Sequence, residues 1–567
     1  MSNIKTTVYC IFDGFGLLPS SINNCVSNAN MPNFRSLLKD SFWTTLNADG
    51  IEVGQEQGLV GNSEVGHMNL GGLQKVNQLS YQITESSKKG FELDKTTSKD
   101  QIFDPSQKLE GQKKVHLVGL FSTGAIHSDM RHWLGAIQSC FLSGVEDIVL
   151  HLLTDGRDSD RKSFIESLIK FVSLLNPELK AKVRIGSIGG RAYAMDRDNN
   201  FDKVYVGLQA IFGSDMIEKT KDLRTKFSIN EYKIATHIKE DLRIDKAVEY
   251  LRPIINSSYS KEIYDEFIDP LGFDRIDNGD AIWLINFRSD RMKQIIKMLC
   301  EYNQTDKDQK KNLILTMNDY GGSLDSGSDY QAIFKSQLVV NTFAYHASKE
   351  NKSQLHTAET EKYNHVTFFF NGGTDKIEQG EFHELVNSNK LLNHSEKPEM
   401  KAKEIADIVI NNLGKYHYIV VNFANPDMVG HCGDIQAGII AMELLDVELG
   451  RILQALTKTG DKMLLTADHG NIEVVGKYQN NGREFTDTEH NPSPVPMIFV
   501  NSDSNDLLLE KITNFVNLNK INCDLDLLKS VLLENNRIEN TEEWLKQADI
   551  PKPKLPLWYA GLIAYCL

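Results

Sequence analysis

Cysteine pairs, long apolar runs and an excess of positive charge are all absent from this 567-residue sequence. The seven cysteines are odd in number and scattered, with none in a CxxC pair, which predicts reduced thiols. No apolar run approaches the ~18 residues of a membrane span. Asp13 also interrupts the stretch that a secretory leader would need to be apolar. These absences predict a cytoplasmic protein that does not associate with membranes.

Proline is scarce as well, at 14 residues, and a composition of 41% apolar and 25% charged residues is that of an ordinary globular protein. The formal net charge of −15 argues against broad binding to nucleic acid or anionic membranes, although a local basic pocket can exist inside an acidic protein. The length allows at least two domains with sizeable cores. We expect a small-molecule substrate, no nucleic acid and a monomer.

One segment stands apart from the ordinary composition: GNSEVGHMNLGG, residues 61–72. It places the hydroxyl of Ser63 between glycines, which permit turns and the close approach of a ligand. The segment therefore predicts that Ser63 lies on a tight, exposed bend. Such a serine is either a turn residue or a nucleophile, and the segment alone does not decide between them.

Strand-like runs alternate with helical ones along the chain, which predicts an α/β fold. TTVYCIF, residues 6–12, ends on Asp13, which is either a ligand at the carboxyl end of a strand or a turn aspartate. Further strands are predicted at residues 115–121, 148–154, 183–190 and 281–287. Polar segments at 80–114 and 301–360 suggest boundaries between domains. We expect one domain from residues 1–79 and 336–567, with 80–335 inserted into it.

Basic side chains follow four strands of the predicted inserted domain. Any one arginine could form a surface salt bridge, but the repetition favours a pocket, because guanidinium groups suit phosphate and carboxylate oxygens. The inferred ligand is a small molecule with several negative charges. The residues at these strand ends are His127, then Arg157 and Asp158, then Arg191 and Arg197, and finally Arg288 and Arg291.

The remaining candidates lie close to strands of the first domain. Lys362 precedes VTFFF, a predicted buried strand, and a lysine in that place is usually a surface residue whose stem packs on apolar neighbours. Carboxylates and imidazoles suit Mn²⁺, Zn²⁺ or Mg²⁺, and two such ions can hold the attacking and leaving oxygens of a phosphoryl transfer. Hydrolysis or transfer at phosphorus is the inferred chemistry. The six ligand candidates are Asp13, Asp427, His431, Asp468, His469 and His490.

Nine motifs in one order carry a resemblance to a known family: DGFG, GNSEVGHMN, TDGRD, AMDRD, NFRSDR, AETEKY, NPDMVGH, TADHGN and HNPSPVP. From about residue 8 to 500, the sequence resembles the cofactor-independent (2,3-bisphosphoglycerate-independent) phosphoglycerate mutases of the alkaline phosphatase superfamily. The resemblance implies an alkaline-phosphatase-like metal domain with an inserted substrate-binding domain. It also implies interconversion of 3-phosphoglycerate and 2-phosphoglycerate.

The resemblance further implies a role for each candidate. Ser63 would become a phosphoserine intermediate and Lys362 would lie beside the phosphate, while Asp158 would act as general acid and base. Two divalent ions would be bound, with Mn²⁺ as first choice and Mg²⁺, Co²⁺ or Zn²⁺ as alternatives. Asp427, His431 and His490 would hold one ion, and Asp13, Ser63, Asp468 and His469 the other. The substrate would be bound by His127, Arg157, Asp158, Arg191, Arg197, Arg288, Arg291 and Lys362.

Two stretches depart from the family pattern. After GHMN the sequence has LGGLQ, where many members have Gly-Ala-Gly-Arg, so an arginine is missing near Ser63. The tail from about residue 501 is also unusual, and we expect a helix followed by an extended, partly apolar terminus. Two other functions stay open: a metal-dependent phosphomonoesterase or other mutase of the same superfamily, and a scaffold that binds anions without catalysis.

Overall fold

The chain folds into two compact units in a computed structural model. The first comprises Met1–Gln78 and Leu338–Leu567, and the second comprises Leu79–Gln337. The expected boundary near residue 335 lies outside the described residues. These are residues 4–91, 104–213, 221–229, 234–304, 310–320, 330–334, 339–480, 483–534 and 552–567.

Eighteen strands are present among the described residues. In chain order they are β1 (Thr7–Phe12), β2 (Phe42–Asn47), β3 (Lys114–Phe121), β4 (Asp147–Thr154), β5 (Val183–Gly190), β6 (Thr236–His237), β7 (Leu271–Gly272), β8 (Ala281–Leu284), β9 (Leu313–Asn318), β10 (Gln331–Phe334), β11 (Gln354–Glu359), β12 (Glu381–Val386), β13 (Tyr418–Phe423), β14 (Lys462–Thr466), β15 (Gly476–Asn480), β16 (Arg483–Asp487), β17 (Val495–Val500) and β18 (Leu555–Pro556).

Helices connect these strands. The α-helices are Cys25–Asn28, Pro32–Asp40, Ser63–Gly72, Leu79–Ser87, Ser106–Leu109, Met130–Leu142, Phe164–Leu174, Pro177–Lys180, Arg191–Ala194, Phe201–Phe212, Lys221–Lys226, Ile244–Ser260, Lys293–Gln304, Phe343–Lys349, Ala402–Asn412, Asn425–Gly430, Ile435–Thr459, Asn505–Asn519, Leu525–Leu532 and Trp558–Cys566. Short 3₁₀ helices span Gly50–Val53, Asp265–Phe267, Thr360–Lys362 and His394–Glu396, and a π-helix spans His365–Phe369. No helix among the described residues has the length and apolarity to cross a membrane.

The first unit contains a sheet in the order β12-β11-β13-β1-β14-β17-β2-β18. The five strands from β12 to β14 are parallel, whereas β17 runs antiparallel to both β14 and β2. Every residue of β1 and of β13 is buried. This pattern follows from helices on both faces, because a central parallel strand then has no solvent-facing side. The α/β prediction is confirmed.

The second unit contains a separate sheet in the order β10-β9-β8-β3-β4-β5-β7-β6. Its strands from β10 to β5 are parallel. Alternate residues of β3 enter different apolar clusters, with Leu117 in one and Val118 and Leu120 in the other. The carboxyl ends of β3, β4, β5 and β8 therefore share one edge, which is where ligands gather in open α/β sheets.

The tail of the chain differs from expectation. Two helices, Asn505–Asn519 and Leu525–Leu532, precede residues 535–551, which lie outside the described residues. The terminus is then helical over Trp558–Cys566, not extended, and all but one of these nine residues are buried. An apolar run of this length fits a buried helix or a buried strand equally well. Its burial places it in the core of the first unit.

Candidate active site

Three parallel strands of the first unit, β1, β13 and β14, deliver candidate ligands to one edge of the sheet. Asp13 follows β1 directly, and Asp468 and His469 follow β14. Asp427 lies in the helix Asn425–Gly430 just after β13, with His431 at the end of that helix. The four-residue spacing along this helical turn brings the two side chains together, and His431 Nε2 lies 3.2 Å from Asp427 Oδ1.

Ser63 is the first residue of the helix Ser63–Gly72, which we call the Ser63 helix. The expectation of an exposed bend is wrong, because Ser63 is only 6% exposed. Asn62 caps the helix by accepting a hydrogen bond from the backbone N–H of Val65, so the segment begins a helix instead of a turn. Gly66 is required by close packing: a Cβ there would lie 2.7 Å from the Cβ of Asp468.

Three side chains converge on the Ser63 hydroxyl. Lys362 Nζ donates to Ser63 Oγ at 2.6 Å, His469 Nε2 lies 3.0 Å away, and the hydroxyl donates to Asp13 Oδ1 at 3.2 Å. All four residues are buried. These contacts suit a nucleophilic serine, since a positioned base and a cation are the groups that activate a hydroxyl.

Lys362 departs from expectation in two ways. It is 3% exposed and not a surface residue, and the segment after it forms the π-helix His365–Phe369 instead of a strand. Its ammonium lies 2.6 Å from both Asp13 Oδ1 and Asp427 Oδ2. Burial alone would lower the pKa of Lys362, but the carboxylates of Asp13 and Asp427 outweigh it and raise that pKa. Lys362 is therefore a fixed positive charge beside Ser63.

Asp427, His431 and His490 form a triangle of donor atoms. His490 Nε2 lies 3.1 Å from His431 Nε2 and 3.1 Å from Asp427 Oδ1, and His431 Nε2 lies 3.2 Å from the same oxygen. Ligands of a tetrahedral ion with bonds of about 2.0–2.1 Å lie roughly 3.3 Å apart. Both the spacing and the mixture of imidazole and carboxylate therefore fit a first-row divalent metal.

A second donor group contains Asp13, Asp468 and His469, whose candidate ligand atoms lie within 4.8 Å of one another. Asp427, His469 and His490 meet the same criterion, so His469 lies between the two groups. Burial and, next, the charge of Asp468 raise the pKa of Asp13. Carboxylates buried so closely together require cations to balance them. The Lys362 ammonium is one such cation, and bound divalent metal would add further positive charge.

Sequence reasoning missed two residues of this cluster. His67 Nδ1 lies 3.1 Å from Asp468 Oδ2 and 2.9 Å from the backbone oxygen of Ser63. Asn422 donates to Asp13 Oδ2 at 2.7 Å and lies 3.0 Å from His67 Nε2. The signal for His67 was its position four residues after Ser63, which places both on one helix face. Asn422 lies inside β13 and had no such signal.

The second unit brings the other candidates together at the carboxyl ends of β3, β4, β5 and β8. Arg191, 3% exposed, donates to Asp155 Oδ1 at 2.6 Å and to Asp158 Oδ2 at 2.5 Å. His127 Nε2 lies 3.8 Å from Asp158 Oδ2. Burial and, next, the charge of Arg191 lower the pKa of His127 to about 4, so this imidazole is neutral at physiological pH. Asp155, buried and paired with Arg191, was missed by sequence reasoning.

Four further arginines surround this buried core. The side chains of Arg157, Arg197 and Arg288 are each about half exposed. The pKa of Arg291 is lowered by partial burial and, next, by the positive charges of Arg191, Arg197 and Arg157. These guanidinium groups therefore repel one another. Asp290, also missed, contacts both Arg197 and Arg288. Such a concentration of positive charge in an acidic protein fits a small anion.

The fold and the donor groups define a metal-dependent enzyme, and residues 5–528 match the metalloenzyme superfamily. The 2,3-bisphosphoglycerate-independent phosphoglycerate mutase of Sulfurimonas denitrificans is 35% identical over 475 residues, which are 83% of this chain and 88% of that protein. The enzyme of the same name from Mycoplasma mobile is 33% identical over 537 residues, 94% of this chain and 99% of that protein. The chain belongs to the 2,3-bisphosphoglycerate-independent phosphoglycerate mutase family, so the resemblance seen in its motifs is confirmed.

A solved structure of Leishmania mexicana phosphoglycerate mutase at low cobalt concentration is also similar to this chain. It is 24% identical, spans 89% of this chain and 91% of that chain, and superposes with a TM-score of 0.48.

Proposed function

We propose that this protein interconverts 3-phosphoglycerate and 2-phosphoglycerate through a phosphoserine at Ser63, without 2,3-bisphosphoglycerate. The observation that carries the proposal is the convergence of Lys362, His469 and Asp13 on the buried Ser63 hydroxyl. The place of Ser63 at a helix N-terminus adds to it, because backbone N–H groups and the helix dipole favour a phosphate there. A monomer in the cytoplasm suffices for this reaction.

Two divalent ions belong to the proposal, with Mn²⁺ as first choice. Asp427, His431 and His490 would hold one, and Asp13, Ser63, Asp468 and His469 the other. Bound ions would lower the pKa of the Ser63 hydroxyl and neutralise charge on the phosphoryl group. His67 and Asn422 hold Asp468 and Asp13 in place by hydrogen bonds, and such outer contacts orient metal ligands.

In the first half-reaction the bond between Ser63 Oγ and phosphorus forms, and the bond from phosphorus to the substrate oxygen breaks. The Ser63 hydroxyl already donates to Asp13 Oδ1, so this carboxylate is the proposed acceptor of the Ser63 proton. Lys362 stabilises the negative charge on the phosphoryl oxygens. The released glycerate oxygen takes up a proton, for which Asp158 is the proposed donor.

In the second half-reaction the other hydroxyl of glycerate attacks the phosphoserine and loses its proton to Asp158. The bond from phosphorus to Ser63 Oγ breaks, and Ser63 takes back its proton from Asp13. The glycerate must stay bound between the two steps, and the inserted unit provides suitable groups. Arg288 and Arg291 would bind phosphate oxygens, and the substrate would also contact His127, Arg157, Arg191 and Arg197. Guanidinium groups bind carboxylate and phosphate in paired hydrogen bonds, which fixes orientation as well as charge.

The decisive experiment follows purified protein with 3-phosphoglycerate by phosphorus NMR, in the absence of 2,3-bisphosphoglycerate. We expect 2-phosphoglycerate to appear until equilibrium, with no inorganic phosphate. A metal-dependent phosphomonoesterase would instead release phosphate, and a scaffold would leave the substrate unchanged. Either of those results would refute the proposal.

A further inference from the structure

A cavity of about 300 Å³ lies in the first unit, at the amino ends of the parallel strands whose carboxyl ends face Ser63. Its lining includes Thr7, Tyr418 and Lys462, which are the first residues of the neighbouring strands β1, β13 and β14. The metal-type ligands lie at the other, carboxyl ends of these same strands. The volume is at the lower end of the range for small-molecule sites. The cavity is therefore separate from the site described above and is large enough only for a small ligand.

Four lysines line this cavity: Lys5, Lys352, Lys462 and Lys511. Two side-chain carboxylates face them, and Lys462 Nζ also donates to the backbone oxygen of Leu567 at 2.7 Å. Glu350 Oε2 lies 2.8 Å from Lys352 Nζ, and Asp503 lies 2.7 Å from Lys462 Nζ and 2.5 Å from Lys511 Nζ.

Lys5 Nζ donates instead to the backbone oxygen of Thr459 at 2.7 Å, an acceptor without net charge. Burial and the charge of Lys352 lower the pKa of His417, another lining residue, so its imidazole adds no charge. Positive charge exceeds negative charge here, in a chain whose formal net charge is −15.

Aromatic side chains form the apolar part of the lining. Phe515 and Tyr565 have ring centroids 4.7 Å apart, and the rings of Tyr418 and Tyr565 stack at 5.6 Å. Lys352 Nζ lies 5.4 Å from the Tyr418 ring centroid and 5.2 Å from that of Tyr565. Tyr418 also donates to the backbone oxygen of Tyr565 at 2.8 Å. These contacts hold the walls in place, so the cavity is formed before any ligand arrives.

We propose that this cavity binds a small organic anion, in which a carboxylate or phosphate group contacts the lysines and an apolar body packs on the aromatic rings. Concave, largely apolar sites with a few placed charges are typical of small-molecule binding. Lys462 and Lys511 lie close enough together to share the carboxylate of Asp503, and Lys352 Nζ lies near the rings of Tyr418 and Tyr565. Charged and apolar groups therefore adjoin in the same cavity.

Calorimetry with benzoate tests this proposal on the metal-loaded full-length protein. We expect saturable binding, and a higher unfolding midpoint than in sodium chloride of equal ionic strength, because a ligand that binds only the folded state stabilises it. In the variant K352Q/K511Q binding should weaken about tenfold or more, since two charge contacts with the anion are lost. The single variants K352Q and K511Q should each show part of this loss.

The matched control is K376Q. Lys376 forms an ion pair with Glu378 at 2.6 Å, as Lys352 does with Glu350, but it lies outside the cavity lining. Binding to K376Q should equal binding to the parent protein. Absence of binding to the parent, or equal binding to all variants, would overturn the proposal.

Thiol labelling locates the bound probe independently of activity. Cys566 lines the cavity, whereas Cys523 is similarly half-buried but is not part of the lining. Benzoate should slow alkylation of Cys566 at least severalfold and leave Cys523 unchanged, as measured by mass spectrometry of the peptides. Equal rates at Cys566 with and without benzoate would place the probe elsewhere and refute the site.

Discussion

At the scale of single residues, Ser63 depends on side chains far away in sequence. Lys362 is 299 positions from it and His469 is 406. Replacing Ser63 with alanine removes the proposed nucleophile, and we expect mutase activity to fall at least about a thousandfold, as for other enzymes that lose the attacking group. Steady-state assays should show this loss in kcat.

The matched control for that variant is S36A. Ser36 lies on the surface helix Pro32–Asp40 and donates to Asp40 Oδ2 at 2.9 Å. Its replacement should leave kcat within about twofold of the parent, as expected for a surface site. If S63A retained more than about a tenth of the parent kcat, the assignment of the nucleophile would be wrong.

Glu359 provides a test by pH. Burial raises the pKa of this carboxyl from 4.5 to about 7, while Ser388 donates to its Oε2 at 2.9 Å. The unfolded chain loses this proton near pH 4.5 but the folded protein holds it until about pH 7. The free energy of unfolding therefore falls as pH rises between these values, by on the order of 3 kcal/mol in total.

The variant E359Q has no carboxyl at this position, so its free energy of unfolding should not fall in this way as pH rises. It should match the parent near pH 4.5 and exceed it in thermal unfolding midpoint at pH 8, with the difference developing between pH 4.5 and 7. The control E361Q, at an exposed neighbouring position, should follow the parent at every pH. Parallel curves for E359Q and the parent would show that Glu359 ionises normally in the fold.

Part of the candidate site could be predicted from sequence because its side chains follow apolar strands. Asp13, Asp468 and His469 were found this way, because the end of a parallel strand places a polar residue at the ligand edge. The burial of Lys362 was not predictable, since its cause is the pair of carboxylates of Asp13 and Asp427, which are distant in sequence. Local pattern contains no information about such partners.

At the scale of elements, the helix Trp558–Cys566 packs directly on the Ser63 helix. A Cβ at Gly561 would lie 1.9 Å from the backbone oxygen of Leu70 and 3.3 Å from Leu73 Cδ2. Leu73 ends the Ser63 helix with φ of 54°, within the LGGLQ stretch that departs from the family pattern. The end of the chain thus supports the helix that carries Ser63.

Replacing Gly561 with valine should force the two helices apart. A clash with backbone cannot be relieved by a side-chain rotation, so we expect a loss of more than about 3 kcal/mol, at or beyond the usual range for overpacking. Mutase kcat should fall with it. Thermal unfolding of the metal-loaded protein and steady-state assays measure the two effects.

The control for this variant is G72A, in the Ser63 helix itself. A Cβ at Gly72 would meet Val76 Cγ2 at 2.9 Å, which is the end of a side chain that can move. Its cost should be below about 1 kcal/mol. Equal thermal unfolding midpoints for G561V and the parent would show that the two helices can move apart at little cost and that their contact contributes little to stability.

Elements were predictable where periodicity and length agreed. Strands β1, β3, β4 and β5 are short apolar runs bounded by polar residues, and each forms as expected. The runs around VTFFF and in the tail, WYAGLIAYC, are apolar without a clear period, so helix and strand fit them equally. The residues that these runs pack against decide between helix and strand, and those residues lie elsewhere in the chain.

At the scale of the whole molecule, charge is divided between two units. One unit gathers Asp13, Asp427 and Asp468, and the other gathers the arginines around Asp155 and Asp158. The net charge of −15 conceals both concentrations, but the polar residues next to predicted strands indicated them before the structure. A reaction that moves a phosphoryl group requires both: ligands for metal ions and cations for the substrate.

Removal of divalent metal tests the proposed metal site of the first unit. Asp13, Asp427 and Asp468 are at most 2% exposed, and Lys362 is the buried lysine in contact with two of them. Metals that bind only the folded protein stabilise it by about 2.7 kcal/mol at 100 times the dissociation constant. Chelation should therefore abolish mutase activity and also lower the unfolding midpoint, a readout that does not depend on turnover.

Adding back Mn²⁺, Mg²⁺, Co²⁺ or Zn²⁺ separately should restore both properties to different degrees, because oxygen and nitrogen ligands accept each of these ions. Elemental analysis of the most active form should find two ions per chain. The variant D427N should bind fewer ions and show a smaller shift of the midpoint on chelation, because a neutral amide replaces a charged carboxylate ligand. Undiminished activity in protein shown by elemental analysis to be free of metal would refute the metal site and the proposed chemistry that depends on it. The buried carboxylates would then have to be balanced by cations other than bound metal.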